Sequence, residues 1–131
     1  MVSRRLFVTG LAGALSSACG SQSAVPVPPA AAAARYSLDD AVKAARADAG
    51  RRTGTTPGAL MLLSAETVTW SDGSLGCPQP DAMYTQALVP GYRVRLSGPA
   101  GEMDYHASAR GALVLCPAGR AVDPLPPFGR N

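Results

Sequence analysis

A chain of 131 residues has room for one domain and not for two. Its 12 Lys and Arg against 9 Asp and Glu give a formal charge of +3, but Arg4 and Arg5 lie in a segment expected to be removed. Without them 10 basic residues face 9 acidic ones and no basic cluster remains, which excludes an electrostatic nucleic-acid binder.

The chain opens Met1-Val2-Ser3-Arg4-Arg5-Leu6-Phe7-Val8, continues through a modestly apolar run to Leu15 and then turns to small residues. That is the layout of a cleavable signal peptide. The run falls short of the roughly 20 apolar residues that a membrane span requires, and Gly10 and Gly13 dilute it. Ser3-Arg4-Arg5-Leu6-Phe7-Val8 resembles a twin-arginine export signal, a receptor-read address, so the resemblance implies work outside the cytoplasm. Leu15-Ser16-Ser17-Ala18-Cys19-Gly20 resembles a lipobox, which would make Cys19 the acylated first residue of the mature chain. It departs from that pattern at Ser16, where Leu is usual. The alternative is simple cleavage after Ala18, with Cys19 left unmodified.

Cysteine arithmetic favours the lipid. There are three cysteines, and an exported protein with an odd thiol needs an explanation. Acylation of Cys19 leaves Cys77 and Cys116 as a pair, expected to be disulfide-bonded in an oxidising compartment. A single acyl chain anchors only marginally, and a bacterial lipoprotein of this kind would carry several. The expected address is the periplasmic side of a membrane, inner or outer left open.

The organisation read from composition is a signal over 1–18, a lipid-anchored tether over 19–35, a domain over 36–116 and a tail over 117–131. The tether holds Ser, Gln, Pro and an Ala run without apolar periodicity. Pro124, Pro126 and Pro127 mark the tail as disordered or polyproline-like. About 80 residues then remain to fold, few enough for a covalent staple to matter.

Within that domain, Ser37 is placed to cap a helix, with Asp39 and Asp40 in its first turn. Leu38, Ala41, Val42, Ala45 and Ala49 share one helical face, and Gly50 reads as the stop. Residues 51–58 read as loop. Residues 59–70 are rich in strand formers, as one bent strand or as two meeting near Ser64-Ala65-Glu66.

The firmest pattern follows. Tyr92, Val94 and Leu96 alternate with Arg93, Arg95 and Ser97. After Gly98-Pro99-Ala100-Gly101, Met103, Tyr105 and Ala107 alternate with Glu102, Asp104 and His106. A hairpin on a four-residue loop sets Leu96 opposite Met103, Val94 opposite Tyr105 and Tyr92 opposite Ala107. The polar partners Ser97–Glu102, Arg95–Asp104 and Arg93–His106 then share the other face. A slip of one residue would destroy both faces, so the register is specified. A turn at Ala109-Arg110-Gly111, with Gly111 left-handed, leads to a third strand, 112–116, which puts Leu113 and Leu115 on the apolar face. The fold class is α+β: one N-terminal helix on a small meandering antiparallel sheet, with one disulfide.

Residues 70–92 are the distinctive stretch. Trp70-Ser71-Asp72-Gly73-Ser74-Leu75-Gly76-Cys77-Pro78, then Tyr84-Thr85-Gln86-Ala87, Pro90-Gly91-Tyr92, Tyr105-His106 and Cys116 resemble an uncharacterised family of small secreted bacterial proteins. The chain departs from that pattern at Ser71, Asp81 and Met103. The resemblance implies no activity. A long stapled connection on a rigid scaffold is a candidate binding loop, with Trp70, Asp72, Leu75, Pro78, Tyr84 and Gln86 as its candidate residues. The competing reading is a cover for the core.

His106 is the only histidine. Triads with Ser74 or Ser108 and Asp72 or Asp104 can be written, as can a Cys77–His106 dyad or a zinc site of Cys77, Cys116 and His106. No nucleophile elbow supports the first, and two cysteines in an oxidising compartment pair before they wait for metal. No catalytic residue, metal or cofactor is therefore expected; a hydrolase using His106 is the outlying alternative. The expected function is a non-catalytic envelope binding module, held to the membrane by its lipid, whose sheet or stapled loop contacts another envelope protein or an envelope polymer. The alternative is a peptidase inhibitor acting through residues 70–90.

Overall fold

The computed structural model describes residues 35–127. The signal, Cys19, the tether as far as residue 34 and the last four residues of the tail lie outside the described residues.

Helix α1 spans Leu38–Thr53. Ser37 caps it in a reciprocal box: its hydroxyl accepts from the Asp40 amide at 3.2 Å, and the Asp40 carboxylate accepts from the Ser37 amide at 2.9 Å. Two of the orphan amides of the first turn are thereby satisfied. The expected stop at Gly50 is wrong. The helix runs on to Thr53 and closes at Gly54, whose φ of 68° is the left-handed cap. Gly50 is internal and buried because a Cβ there would lie 2.7 Å from the Thr55 carbonyl oxygen. Residues 51–58 are accordingly not one loop: α1 takes the first three, and Pro57–Ala59 form a 3₁₀ turn.

The strands are β1 (Met61–Trp70), β2 (Val89–Gly98), β3 (Gly101–Ser108) and β4 (Leu113–Cys116), joined in the antiparallel order β1-β2-β3-β4. The open choice at 59–70 resolves to a single strand with an irregularity between Leu62 and Ser64. An extra residue there bends the strand without ending it. Every predicted β2–β3 partner is found, from Tyr92↔Ala107 to Ser97↔Glu102. The connection is tighter than expected, because Gly98 pairs with Gly101 and only Pro99 and Ala100 turn. Pro99 cannot take the positive φ of the mirror-image hairpin turns, so it falls on Gly101, at 95°. Gly111, at 96°, makes the turn into β4 as predicted.

α1 covers one face of this sheet. Ala41, Ala45 and Ala49 are fully buried against Leu60, Val94, Leu96, Met103, Tyr105 and Ala107, with Leu113 and Leu115 at the margin. Three alanines in line let the helix lie close, and the larger side chains come from the sheet. Each fully buried Val or Leu contributes about 1.5–3 kcal/mol.

The opposite face, expected to be polar, is covered as well. The chain from Trp70 to Cys77 folds back across it. The segment after β4 returns over it, with Val122 N–H donating to Gly76 O at 2.8 Å and Leu125 N–H to Thr69 O at 2.9 Å. Residues 117–127 therefore do not run free of the domain, contrary to the boundary placed at 116. Among the described residues no helix is long and apolar enough to cross a membrane.

Candidate functional site

Trp70 ends β1 fully buried, its ring stacked on His106 at a centroid distance of 4.4 Å and an interplanar angle of 23°. Its indole N–H donates to Ala107 O at 3.0 Å across the strand between them. That crossing exists because residue 91 is glycine: a Cβ there would collide with Ala107 O and come within 2.9 Å of the indole nitrogen. Pro90-Gly91-Tyr92 thus marks where one strand makes room for another's tryptophan.

Beyond Trp70 the loop is built from short local bonds. The Asp72 carboxylate accepts from the Ser74 amide at 2.8 Å, an Asx turn. Leu75 and Gly76 both take left-handed backbone, at φ 56° and 68°. For Leu75 such a conformation costs on the order of 1–3 kcal/mol. Burial of its side chain offsets that cost, and its carbonyl oxygen sits 2.6 Å from His106 Nδ1. At Gly76 a side chain is excluded, since a Cβ would stand 2.6 Å from both the Trp70 ring and Val122 O. Cys77 is then bonded to Cys116, their Cα atoms 5.6 Å apart.

Beneath the loop lies a charged cluster that the sequence distributed otherwise. Arg93 grips Asp104 with two bonds, of 3.1 and 2.7 Å, and reaches Asp123 of the returning segment at 2.9 Å. Arg95 pairs with Glu102. These ion pairs run diagonally, two residues off the directly opposed partners. Burial raises the Asp104 carboxyl, but His106 and Arg93 outweigh it and hold it well below the usual carboxylate range. Arg93 is held above its ordinary value, chiefly by its bonds to Asp104.

Among the described residues His106 makes no hydrogen bond to Ser74, Ser108 or Cys77. His106 is buried with Nδ1 on Leu75 O, and its Nε2 lies 3.3 Å from Asp104 Oδ1 without the alignment of a hydrogen bond. Ser108 Oγ accepts from the Arg110 and Ala112 amides at 3.3 and 3.1 Å, which ties it to the turn before β4. Ser74 belongs to the Asx turn, and both described cysteine sulfurs are in the disulfide. Among the described residues no three His, Cys, Asp or Glu side chains are grouped so as to hold a metal.

The six candidate loop residues divide in two. Trp70 and Leu75 are core, and Asp72 is half-buried in its turn. Pro78 and Gln86 are exposed, and Tyr84 is half-buried, its hydroxyl accepting from the Gln79 amide at 3.0 Å. Gly73 N–H donates to Thr85 O at 2.9 Å, pinning the far limb to the near one. What this frame displays was missed: Met83 is 98% and Leu88 55% exposed. Met83 had a signal, an apolar side chain among turn residues with no periodic apolar partner. Below Leu88 a groove of about 490 Å³ runs between Gly73, Thr85 and Val89 on one side and Ser108 and Arg110 on the other.

Residues 42–116, from within α1 to the second cysteine, match the family model described as Domain of unknown function (DUF8738). No curated protein and no solved structure matches the chain.

Proposed function

We propose a binding role, without catalysis, for this chain, which belongs to the DUF8738 family. The observation that carries the reading is the pairing of a pinned frame with displayed apolar side chains. Met83 and Leu88 stand in solvent on a loop held at Cys77, at Tyr84 and at Gly73–Thr85. A loop already ordered loses little entropy on binding, which is the physical advantage of such a frame. The burial of His106 beneath Trp70 supports the non-catalytic side of the reading, because a substrate would have to displace the indole to reach the ring.

The setting proposed for that binding is the bacterial envelope. The signal at Arg4-Arg5 would direct export, Cys19 would carry the lipid, and the partner would be another envelope protein met by the 78–88 segment. The experiment is capture from solubilised envelope with the full chain and with a Met83→Asp, Leu88→Asp variant. A protein retained by the wild type and lost by the thermally unaltered variant supports the reading; equal capture by both removes the loop from it. In the same cells, Cys19→Ala should move the protein from membranes to the soluble fraction. Continued membrane association of that variant would dismiss the lipid anchor.

A peptidase inhibitor is the second reading, and one observation favours it. Met83 projects alone from residues 82–86, which have no regular secondary structure and are held just after it by Tyr84 and Thr85. Inhibition of a serine, cysteine or metallo-peptidase that Met83→Asp abolishes would put this reading first.

A further inference from the structure

We propose a second interaction surface, away from the 70–90 loop: the outer edge of β4 and the groove beside α1 accept an extended, acidic peptide as a fifth strand. The edge is identified by the hydrogen-bond alternation. Ser108 N–H donates to its register partner Ala112 O at 2.9 Å, so that pair is hydrogen-bonded. Counting by twos, His106↔Val114 and Asp104↔Cys116 are bonded as well, whereas Ala107↔Leu113 and Tyr105↔Leu115 are not. The amide and carbonyl groups of Leu113 and Leu115 therefore point outward, away from β3. β4 ends the strand order, and among the described residues nothing pairs with it on that side. An open edge of this kind is a template for another strand.

Beside that edge lies a groove of about 380 Å³, lined by Ala44, Ala47, Leu113 and Leu115 and also by Asp48, Arg51, Arg52 and Tyr105. Its volume is within the range of small-ligand sites. A strand added to β4 would send alternate side chains into it, the spacing by which edge addition achieves specificity. The charge of the groove selects among peptides. Asp48 accepts from Tyr105 and pairs with both arginines, so one carboxylate faces two guanidinium groups. The Arg51 side chain is 71% exposed and able to turn toward a newcomer. The excess positive charge sits at the Leu115 end. An antiparallel newcomer would therefore carry its acid near its own N-terminus, with small β-branched residues two and four positions later.

The test uses acetyl-Glu-Thr-Val-Thr-Val-Thr-amide, its counterpart with Lys in place of Glu, and the full chain, read by residue-resolved amide hydrogen exchange. The expected result is slowed exchange at Leu113 and Leu115 with the Glu peptide, weaker by on the order of tenfold with the Lys peptide. Arg51→Glu, at an exposed position, should reverse that preference. Leu113→Pro removes an outward amide without breaking a β3 bond and should lose both peptides, while Leu113→Ala, which keeps the amide, should retain them. No slowing with either peptide at millimolar concentration would overturn the proposal. So would slowed exchange at both amides in the free chain, because a second copy or another segment of this chain would then already occupy the edge; sedimentation at several concentrations tells those two apart.

Discussion

The two faces of one sheet are held by different means. On one, α1 lays three alanines against Val94, Leu96, Tyr105 and Ala107, an interface of apolar contact that follows a helical period against a strand period. On the other, Trp70 and His106 form a stacked pair under a loop bent at left-handed Leu75 and Gly76, with a disulfide and a network from Arg93 to Asp104 and Asp123. The first face tolerates small changes in any one contact, since its stability is spread over many similar ones. The second depends on a few residues that each make several bonds. The lesson is that the face covered by irregular chain, not the face covered by the helix, carries the more specific packing.

The largest effect expected from breaking this contrast is Trp70→Ala. Truncating a fully buried tryptophan costs about 3–5 kcal/mol, and here it also removes the bond to Ala107 and uncovers His106. Urea unfolding should show that loss while the far-ultraviolet spectrum of the surviving fold keeps its helix. A loss under about 1 kcal/mol, the size of an ordinary surface change, would mean that the loop face contributes little.

Reducing the disulfide comes next. Closing 39 residues of chain is worth about 4 kcal/mol in the chain-entropy model, which is an upper figure. Secondary structure should persist on reduction, since the sheet and helix pair without it. Alkylation followed by mass spectrometry of the unreduced protein should find Cys77 and Cys116 unmodified.

Gly91→Ala tests the Trp70 side of the sheet at one atom. The added methyl meets Ala107 O and the indole of Trp70, and overpacking of that kind costs about 1–3 kcal/mol. The thermal midpoint should fall, and tryptophan fluorescence should shift to the red as the ring is displaced. An unchanged emission maximum would show that the strand moves instead of the indole.

The faces should also part company in pH. Asp104 is held below the roughly 3.9 of an unfolded aspartate, so its contribution is present above that value and lost as pH falls. Asp48, on the helix side, is lowered too: burial opposes the shift, and its bonds from Arg52 and Tyr105 prevail. An alkaline limb arises on the helix face, where burial raises Tyr36 as well as Tyr105. Burial first, then the bond to Asp48, pushes Tyr105 up to about 12. The folded state therefore keeps a proton that the unfolded chain releases near pH 10, and stability declines from about 10 to about 12. Tyr105→Phe should lessen that decline and leave the acid limb of Asp104 in place. Smallest of all is Met83→Ala: a fully exposed side chain should change stability by less than about 0.5 kcal/mol, whatever it does to binding.

How much of this was legible follows from the range of the forces. The capping box, the alanine face of α1, the β2–β3 register and the left-handed Gly111 are set by neighbours a few residues apart or by strict alternation, so the sequence by itself determined them. The disulfide was legible from the cysteine count. Local pattern misled at two turns. Gly50 reads as a stop until Thr55 is seen to crowd it, and Gly98–Gly101 reads as a four-residue loop until Pro99 is seen to force the positive φ onto Gly101. Alternation assigned His106 to a polar face, because it tells which side of a strand a residue is on and not what covers that side. Only the tertiary structure could decide that Trp70 stacks on it, that Leu75 bends left-handed to meet it and that residues 122–125 return over it. Each depends on segments tens of residues apart meeting at distances of a few ångströms, which no local period encodes.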